Sequence, residues 1–235
     1  MTTSEGLDRL SALRGTLERS STAERVADVL RAQVIAGAMA PGERLSEEAI
    51  GSALGVSRNT LREAFRLLGH ERLLVHEFNR GVFVAKPTRD DVTDLYLVRR
   101  ALELAALRAA GGADPEAVAR VGAAVQEAED AAARADWWAV GTANMHFHQA
   151  VAGLAGSPRT DEAVRRLLAE LRLVFHVMAA PEEFHVPYVA LNREIYELLR
   201  EGRTEAAAER LAAYFDAAER QLVEAFDGAE RHAPA

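Results

Sequence analysis

The chain has 235 residues, long enough for a compact head and a larger body, and it contains no cysteine, which excludes disulfides, thiolate metal sites and cysteine nucleophiles. Its net charge of −8 is unevenly spread: residues 1–87 carry 12 basic and 11 acidic side chains, the remainder 16 and 25. A near-neutral head permits contact with a polyanion if its cations share one face, whereas the acidic body is repelled by phosphates.

Basic charge is carried by 27 Arg and a single Lys, Lys86, so arginine abundance by itself is no argument for nucleic-acid binding. Residues 1–20 lack the apolar core of a signal peptide, and no later run approaches the length of a membrane span, so the expected location is cytoplasmic. Leu7, Leu10, Leu13 and Leu17 allow a short amphipathic helix there, but a flexible N-terminal arm is the preferred reading.

Ser21-Thr22-Ala23-Glu24 fits a capping box, and Val26, Val29, Leu30 and Val34 recur at helical spacing, which predicts a helix from Thr22 to Ile35 ended by Gly37. After the turn Met39-Ala40-Pro41-Gly42, Leu45 supplies a hydrophobic staple and Ser46 an N-cap for a helix over Glu47 to Leu54. A break at Leu54-Gly55-Val56 leads to Ser57, the cap of a second helix. Its inner face is Leu61, Ala64, Phe65 and Leu68, which leaves Arg58, Asn59, Arg62 and Arg66 outside. Leu74, Val75, Val82 and Val84 suit a two-stranded wing that turns through Glu77 to Gly81. Short helix, Gly turn, Arg-bearing helix and wing form the outline of a winged helix-turn-helix, whose second helix enters the DNA major groove.

Pro87 marks the boundary, and Thr88-Arg89-Asp90-Asp91 opens the body with another capping box. Helical segments are expected near 90–110, 115–134, 136–154, 158–179, 188–201 and 205–226. They are separated by Gly111-Gly112 with Asp114-Pro115, by Asp136, by Gly156-Ser157-Pro158, by Pro181 to Pro187, and by Gly202 with Thr204. The expected fold is mostly α: an N-terminal winged helix-turn-helix over residues 21–86, then an antiparallel all-α bundle of six or seven helices over 87–229, with an arm at 1–20 and a tail at 230–235.

Pro41-Gly42-Glu43-Arg44-Leu45-Ser46-Glu47, Gly55-Val56-Ser57-Arg58-Asn59-Thr60-Leu61-Arg62-Glu63-Ala64 and Arg80-Gly81 resemble the GntR family of bacterial transcription regulators. With the helical body, and with Arg99-Arg100-Ala101-Leu102-Glu103, Phe147-His148 and the Ile195 to Phe215 segment, the chain resembles the FadR-type branch, whose effector domain is called FCD. The resemblance implies a homodimer that binds a palindromic operator, acts as a repressor and responds to a small organic acid or acyl compound. It implies base or phosphate contacts from Arg58 and Arg62, phosphate contacts from Ser57 and Thr60, and a minor-groove approach by Arg80 and Gly81. Arg44, Asn59 and Arg66 complete the expected DNA-binding set. An Arg can pair bidentately with guanine, while hydroxyls at a helix N-terminus suit phosphate oxygens. Glu48 stands where many members carry an Arg, so the operator is expected to differ.

Many FCD domains hold a divalent metal with one Asp and three His, an Asp and His at i, i+4 and two later His 22 residues apart. The corresponding positions here are Asn144, His148, Asn192 and Tyr214. Neutral amides and a phenol with a reference pKa of about 10 are poor transition-metal ligands, so no bound metal and no other cofactor are expected. A substitute site from His146, His176 or His185 is the alternative, although scattered histidines are more often surface or core residues. Asn144, His148, Asn192 and Tyr214, with Arg99 or its neighbour Arg100 as a cation, then become an effector pocket walled by Leu102, Phe147, Leu171 and Phe175. No nucleophile, orienter and oxyanion donor align, so an enzyme is not expected. A rival reading makes the body a dimerisation or protein-interaction module with a vestigial pocket.

Overall fold

The computed structural model describes residues 21–175 and 181–231. They form two compact units, one of the described residues up to Met39 with Glu43–Val84, the other of Ala40–Gly42 with the residues from Ala85 onward. The N-terminal arm expected at 1–20 and the last four residues of the tail lie outside the described residues, as does His176.

In the first unit, α1 (Thr22–Ile35) starts on the Ser21 capping box: the Ser21 hydroxyl accepts from the Glu24 N–H, and the Glu24 carboxylate accepts from the Ser21 N–H at 2.6 Å. α2 (Glu47–Leu54) is capped by Ser46 and stops at Gly55, whose φ of +64° is the left-handed conformation that favours a residue without Cβ. α3 (Arg58–His70) buries Leu61, Ala64, Phe65 and Leu68 and packs on α1, which turns Val26, Ala27, Leu30 and Val34 inward. Each fully buried Leu contributes about 1.5–3 kcal/mol of transfer free energy, so this interface is one of the main sources of the unit's stability.

The wing has three strands rather than the two expected. β2 (Leu74–Glu77) and β3 (Gly81–Val84) form the hairpin, with Leu74 opposite Val84 and Glu77 opposite Gly81. β1 (Arg44–Leu45) pairs antiparallel to β3, with Arg44 opposite Phe83 and Leu45 opposite Val82. Leu45 is therefore a strand residue covering the sheet, as well as the residue before the Ser46 cap. A two-residue strand carries no alternation to read; its partner β3 defines it.

The second unit contains α4 (Arg89–Ala109), a 3-10 turn (Ala110–Gly112), α5 (Pro115–Ala133), α6 (Trp137–Gly153), α7 (Pro158–Val174), α8 (Pro181–Arg200) and α9 (Thr204–Arg231). Thr88, Asp114, Asp136 and Ser157 cap four of them, and Pro115 and Pro158 occupy first-turn positions where a missing N–H costs nothing. α4 packs with α9, α5 with α6 and α8, and α6 with α7 and α8. Phe147, Val121, Val151, Ile195, Leu211 and Phe215 are completely buried between them. Gly122 on α5 permits one close approach, since a Cβ there would lie 2.5 Å from the Tyr196 ring.

Three boundaries differ from the expected ones. α7 ends at Val174, short of the expected 179, and residues 176–180 lie outside the described residues. α8 begins at Pro181 and carries Pro187 inside it, where a separator was expected. Pro187 forfeits one backbone hydrogen bond, but Phe184, Tyr188, Ile195 and Leu199 keep one apolar face buried on both sides of it, and that packing outweighs the lost bond. α9 extends to Arg231, past the expected end at 226 and into the expected tail.

Candidate nucleic-acid interface and buried polar network

Ser57 places the start of α3. Its hydroxyl accepts from the Thr60 N–H at 3.1 Å and lies 2.8 Å from the Thr60 hydroxyl, so both hydroxyls gather at the positive end of the helix. Arg58, Asn59, Arg62 and Arg66 are all exposed on the side opposite the buried stripe. Arg58 has no ion-pair partner among the described residues. Arg62 reaches Glu47 on α2 at 3.2 Å, and Arg66 is held by Glu63 at 2.6 Å and stands 2.9 Å from His70 Nε2. The Glu63 carboxylate bonds Arg66, which holds it below the usual range.

In the wing, Arg80 pairs with Glu77 and lies over the Phe83 ring, while the Arg44 side chain runs along Gly81, whose φ is +110°. A Cβ at position 81 would stand 3.3 Å from Arg44 Nε, so the glycine serves both backbone conformation and close approach. The structure thus brings Arg44, Arg80 and Gly81 together at the wing, and Ser57, Arg58, Asn59, Thr60, Arg62 and Arg66 along one helix. Phe78, at the hairpin turn, is 85% exposed.

The second set converges in the core of the helical unit. Asn192 Nδ2 donates to Asn144 Oδ1 at 2.8 Å, the Tyr214 hydroxyl lies 3.1 Å from the same oxygen, and His148 Nε2 lies 3.1 Å from that hydroxyl. His148 Nδ1 donates to Glu103 at 2.7 Å, and the other oxygen of Glu103 accepts from Arg99 Nε at 2.8 Å. All six side chains are buried, and they come from α4, α6, α8 and α9. Arg99 is further clamped over the Tyr96 and Phe215 rings, 5.1 and 4.7 Å from their centroids.

Charge and protons are finely divided in this network. Burial alone would raise the Glu103 carboxyl, but Arg99 and His148 hold it below the usual range, so it is ionised. Burial, then the neighbouring Arg99 charge, lower His148 and keep it neutral, with its Nδ1–H directed to Glu103. Burial likewise pushes the Tyr214 phenol well above its ordinary value. Tyr214 has one proton for two acceptors, His148 Nε2 and Asn144 Oδ1. Two further atoms, Arg99 Nη2 and Asn192 Oδ1, have no partner among the described residues.

Arg100 does not join this network. It pairs with Asp216 and Glu219 of α9 at 2.7 Å each, on the partly exposed side of α4, because one residue along a helix rotates a side chain by about 100°. Of the two cations proposed for the pocket, only Arg99 lies there. Glu103, which sequence reading placed only in a family motif, is the network's charge centre; its spacing of four from Arg99 was the available signal. Arg172 and His185, 2% and 3% exposed, are two further buried polar residues that were not assigned to the site.

The residues at the family's metal positions do not fit a metal. One imidazole, with both nitrogens already engaged, stands among two neutral amides and a protonated phenol. His146 lies elsewhere, paired to Glu127 on the surface. An open groove of about 710 Å³ lined by Arg120, Glu127, His146, Gln149 and Asp161 contains no member of the network.

A winged, arginine-faced helix in one unit and a helical core threaded with polar side chains in the other define the class of DNA-binding transcription regulators with a separate helical domain. The comparisons give the family. Residues 22–84 match the bacterial regulatory proteins of the gntR family, and residues 94–217 match the FCD domain. The chain belongs to the GntR family and carries an FCD domain; it is a DNA-binding transcription regulator and not an enzyme.

A solved structure of a GntR regulator from Rhodococcus sp. RHA1 is 48% identical, with a TM-score of 0.81, covering 87% of this chain and 99% of the other. An HTH-type regulator from an unstable DNA locus of Streptomyces ambofaciens is 31% identical over 81% of this chain and 82% of its own length. The gluconate operon repressor of Bacillus subtilis is 36% identical over 37% of this chain and 35% of its own. Among the described residues, no helix is long and apolar enough to cross a membrane.

Proposed function

We propose that the chain is a FadR-type cytoplasmic regulator, that it binds a palindromic operator as a homodimer, and that it represses until a small organic acid or acyl compound enters the helical unit. In this reading residues 21–86 bind DNA and residues 87–229 bind the effector and dimerise. Arg58 and Arg62 read base edges. Ser57, Asn59, Thr60 and Arg66 hold phosphates and register, and Arg44, Arg80 and Gly81 approach the minor groove. Repression is the activity named for the gluconate operon regulator and for a D-xylose utilisation operon regulator of Paenarthrobacter nicotinovorans, both similar to this chain.

The observation that carries the effector reading is the unfinished network. Buried polar groups are normally paired, and an orphan costs about 1–3 kcal/mol. Here Arg99 Nη2 and Asn192 Oδ1 are both orphaned among the described residues of one core, and Tyr214 shares a single proton between two acceptors. A ligand offering one acceptor and one donor completes it. An effector that prefers one packing of the helices alters the spacing of two half-site readers, with coupling of about 1–3 kcal/mol.

The rival reading, a dimerisation or interaction module, draws on the fact that most of the network's atoms already bond one another. Thermal denaturation with a panel of organic acids and acyl compounds separates the two. Stabilisation by a compound that also changes operator affinity supports the sensor, and no shift across the panel supports the module.

A further inference from the structure

Every strongly buried cation in a protein core needs an opposite charge or a ligand, and the helical unit treats its two such arginines differently. Arg99 has Glu103 at 2.8 Å, so the Arg99–Glu103–His148 group carries no net charge. Arg172 on α7 is equally buried and has no carboxylate partner among the described residues. Among the described residues its Nη2 reaches the Thr142 hydroxyl at 3.3 Å and the Trp138 carbonyl at 3.5 Å, and its Nε has no partner. The guanidinium lies on the Trp138 ring, 3.7 Å from the centroid.

His185 on α8 meets it there. Its ring sits against those of Phe175 and Phe184, and its Nδ1 also has no partner among the described residues. Both side chains converge on Gly141 of α6: a Cβ at that position would stand 2.7 Å from Arg172 Nη1 and 2.9 Å from His185 Nε2. Trp138, 45% exposed, and the half-buried Thr142 lie on the outer side of this buried cluster.

Gly141 is one turn before Asn144 on α6, and His185 is two turns before Asn192 on α8. The cluster therefore lies about 5–10 Å along the bundle from the polar network, on the same helix faces.

We infer that Arg172, with His185 and Thr142, is the anion subsite of the effector pocket, and that it binds a carboxylate while the network around Asn144 and Asn192 receives the effector's neutral polar end. This rests on the effector reading above and changes its electrostatics: Arg99, already neutralised, orders Glu103 and His148, and Arg172 supplies the uncompensated charge. A guanidinium fork with a free Nε matches the two oxygens of a carboxylate. Burial lowers Arg172 to about 10, which leaves it protonated near neutrality but costly to keep without a counter-ion.

The test uses the full chain, calorimetric titration at pH 7.5, and straight-chain monocarboxylates from acetate to decanoate, each beside its primary amide. At least one carboxylate is expected to bind about tenfold or more tightly than its amide. Arg172→Met should remove that preference and weaken the acid about tenfold, with unchanged far-ultraviolet circular dichroism. Gly141→Ala should weaken the same acid without altering any charge, and serves as the second variant if Arg172→Met misfolds. Equal binding of an acid to the wild type and to both variants would overturn the subsite and leave the effector reading standing, as would amides binding as well as acids. Binding of neither series would overturn the subsite together with the reading beneath it.

Discussion

The two units use the same residue type in opposite dielectric settings. In the winged unit Arg62, Arg66 and Arg80 are exposed and rest on Glu47, Glu63 and Glu77, pairs whose partners are exchangeable because water screens them. In the helical unit Arg99 and Arg172 are at most 2% exposed, where a charge must be met by a fixed partner or by a ligand. Surface arginines can swap a carboxylate for a phosphate or a guanine at little cost. Core arginines cannot, and this makes the first unit a reader and the second a candidate sensor.

The largest expected effect breaks the comparison at Glu103. Glu103→Ala leaves Arg99 charged and unpaired in the core and should destabilise the chain by about 3–5 kcal/mol in urea denaturation. Arg172→Met, which removes a charge that has no carboxylate partner among the described residues, should be neutral or stabilising. A loss at Arg172 as large as that at Glu103 would contradict the assignment of one cation as paired and the other as free.

Next in size is a pH dependence. Burial, then the Arg172 charge, depress His185 to about 4 from its usual 6.5. The unfolded chain takes up this proton near pH 6.5 and the folded chain resists it until near pH 4. Stability is therefore complete above pH 6.5 and falls by about 1.4 kcal/mol per unit below it, about 3 kcal/mol in all. His148 is lowered too and acts in the same sense, so the slope from His185 is the difference between wild type and His185→Gln. Identical slopes for the two proteins between pH 6.5 and 4.5 would refute it.

On the DNA side, Arg58→Ala or Arg62→Ala should cost about 1–3 kcal/mol of operator affinity, roughly 5- to 150-fold in a gel-shift titration, with the thermal midpoint unchanged. The smallest effect belongs to the exchangeable partner: Glu47→Gln frees Arg62 and should tighten DNA binding by less than about 1 kcal/mol.

Much of this was legible in the chain because it depends on local rules. Ser21, Ser46, Ser57 and Thr88 each announce a helix start through a hydroxyl that accepts a nearby N–H, and the inner stripe Leu61, Ala64, Phe65 and Leu68 is set by helical period alone. Asn144, His148, Asn192 and Tyr214 were brought together by a family spacing, and they meet in space. What was not legible depends on tertiary packing: the two-residue strand β1 exists only through β3, α8 continues through Pro187 because its buried face does, and Arg100 was separable from Arg99 only once α9 was in place. Arg172 was hidden within a run of leucines, where nothing in the sequence says whether a cation has a partner.

The most direct measurement of the central claim is selection of bound duplexes from a random DNA pool by the purified full chain at physiological salt. Enrichment of an inverted repeat with half-sites about one helical turn apart, lost in Arg58→Ala, is expected. Enrichment of no sequence over a competitor polyanion, or the same enrichment by the variant, would contradict it.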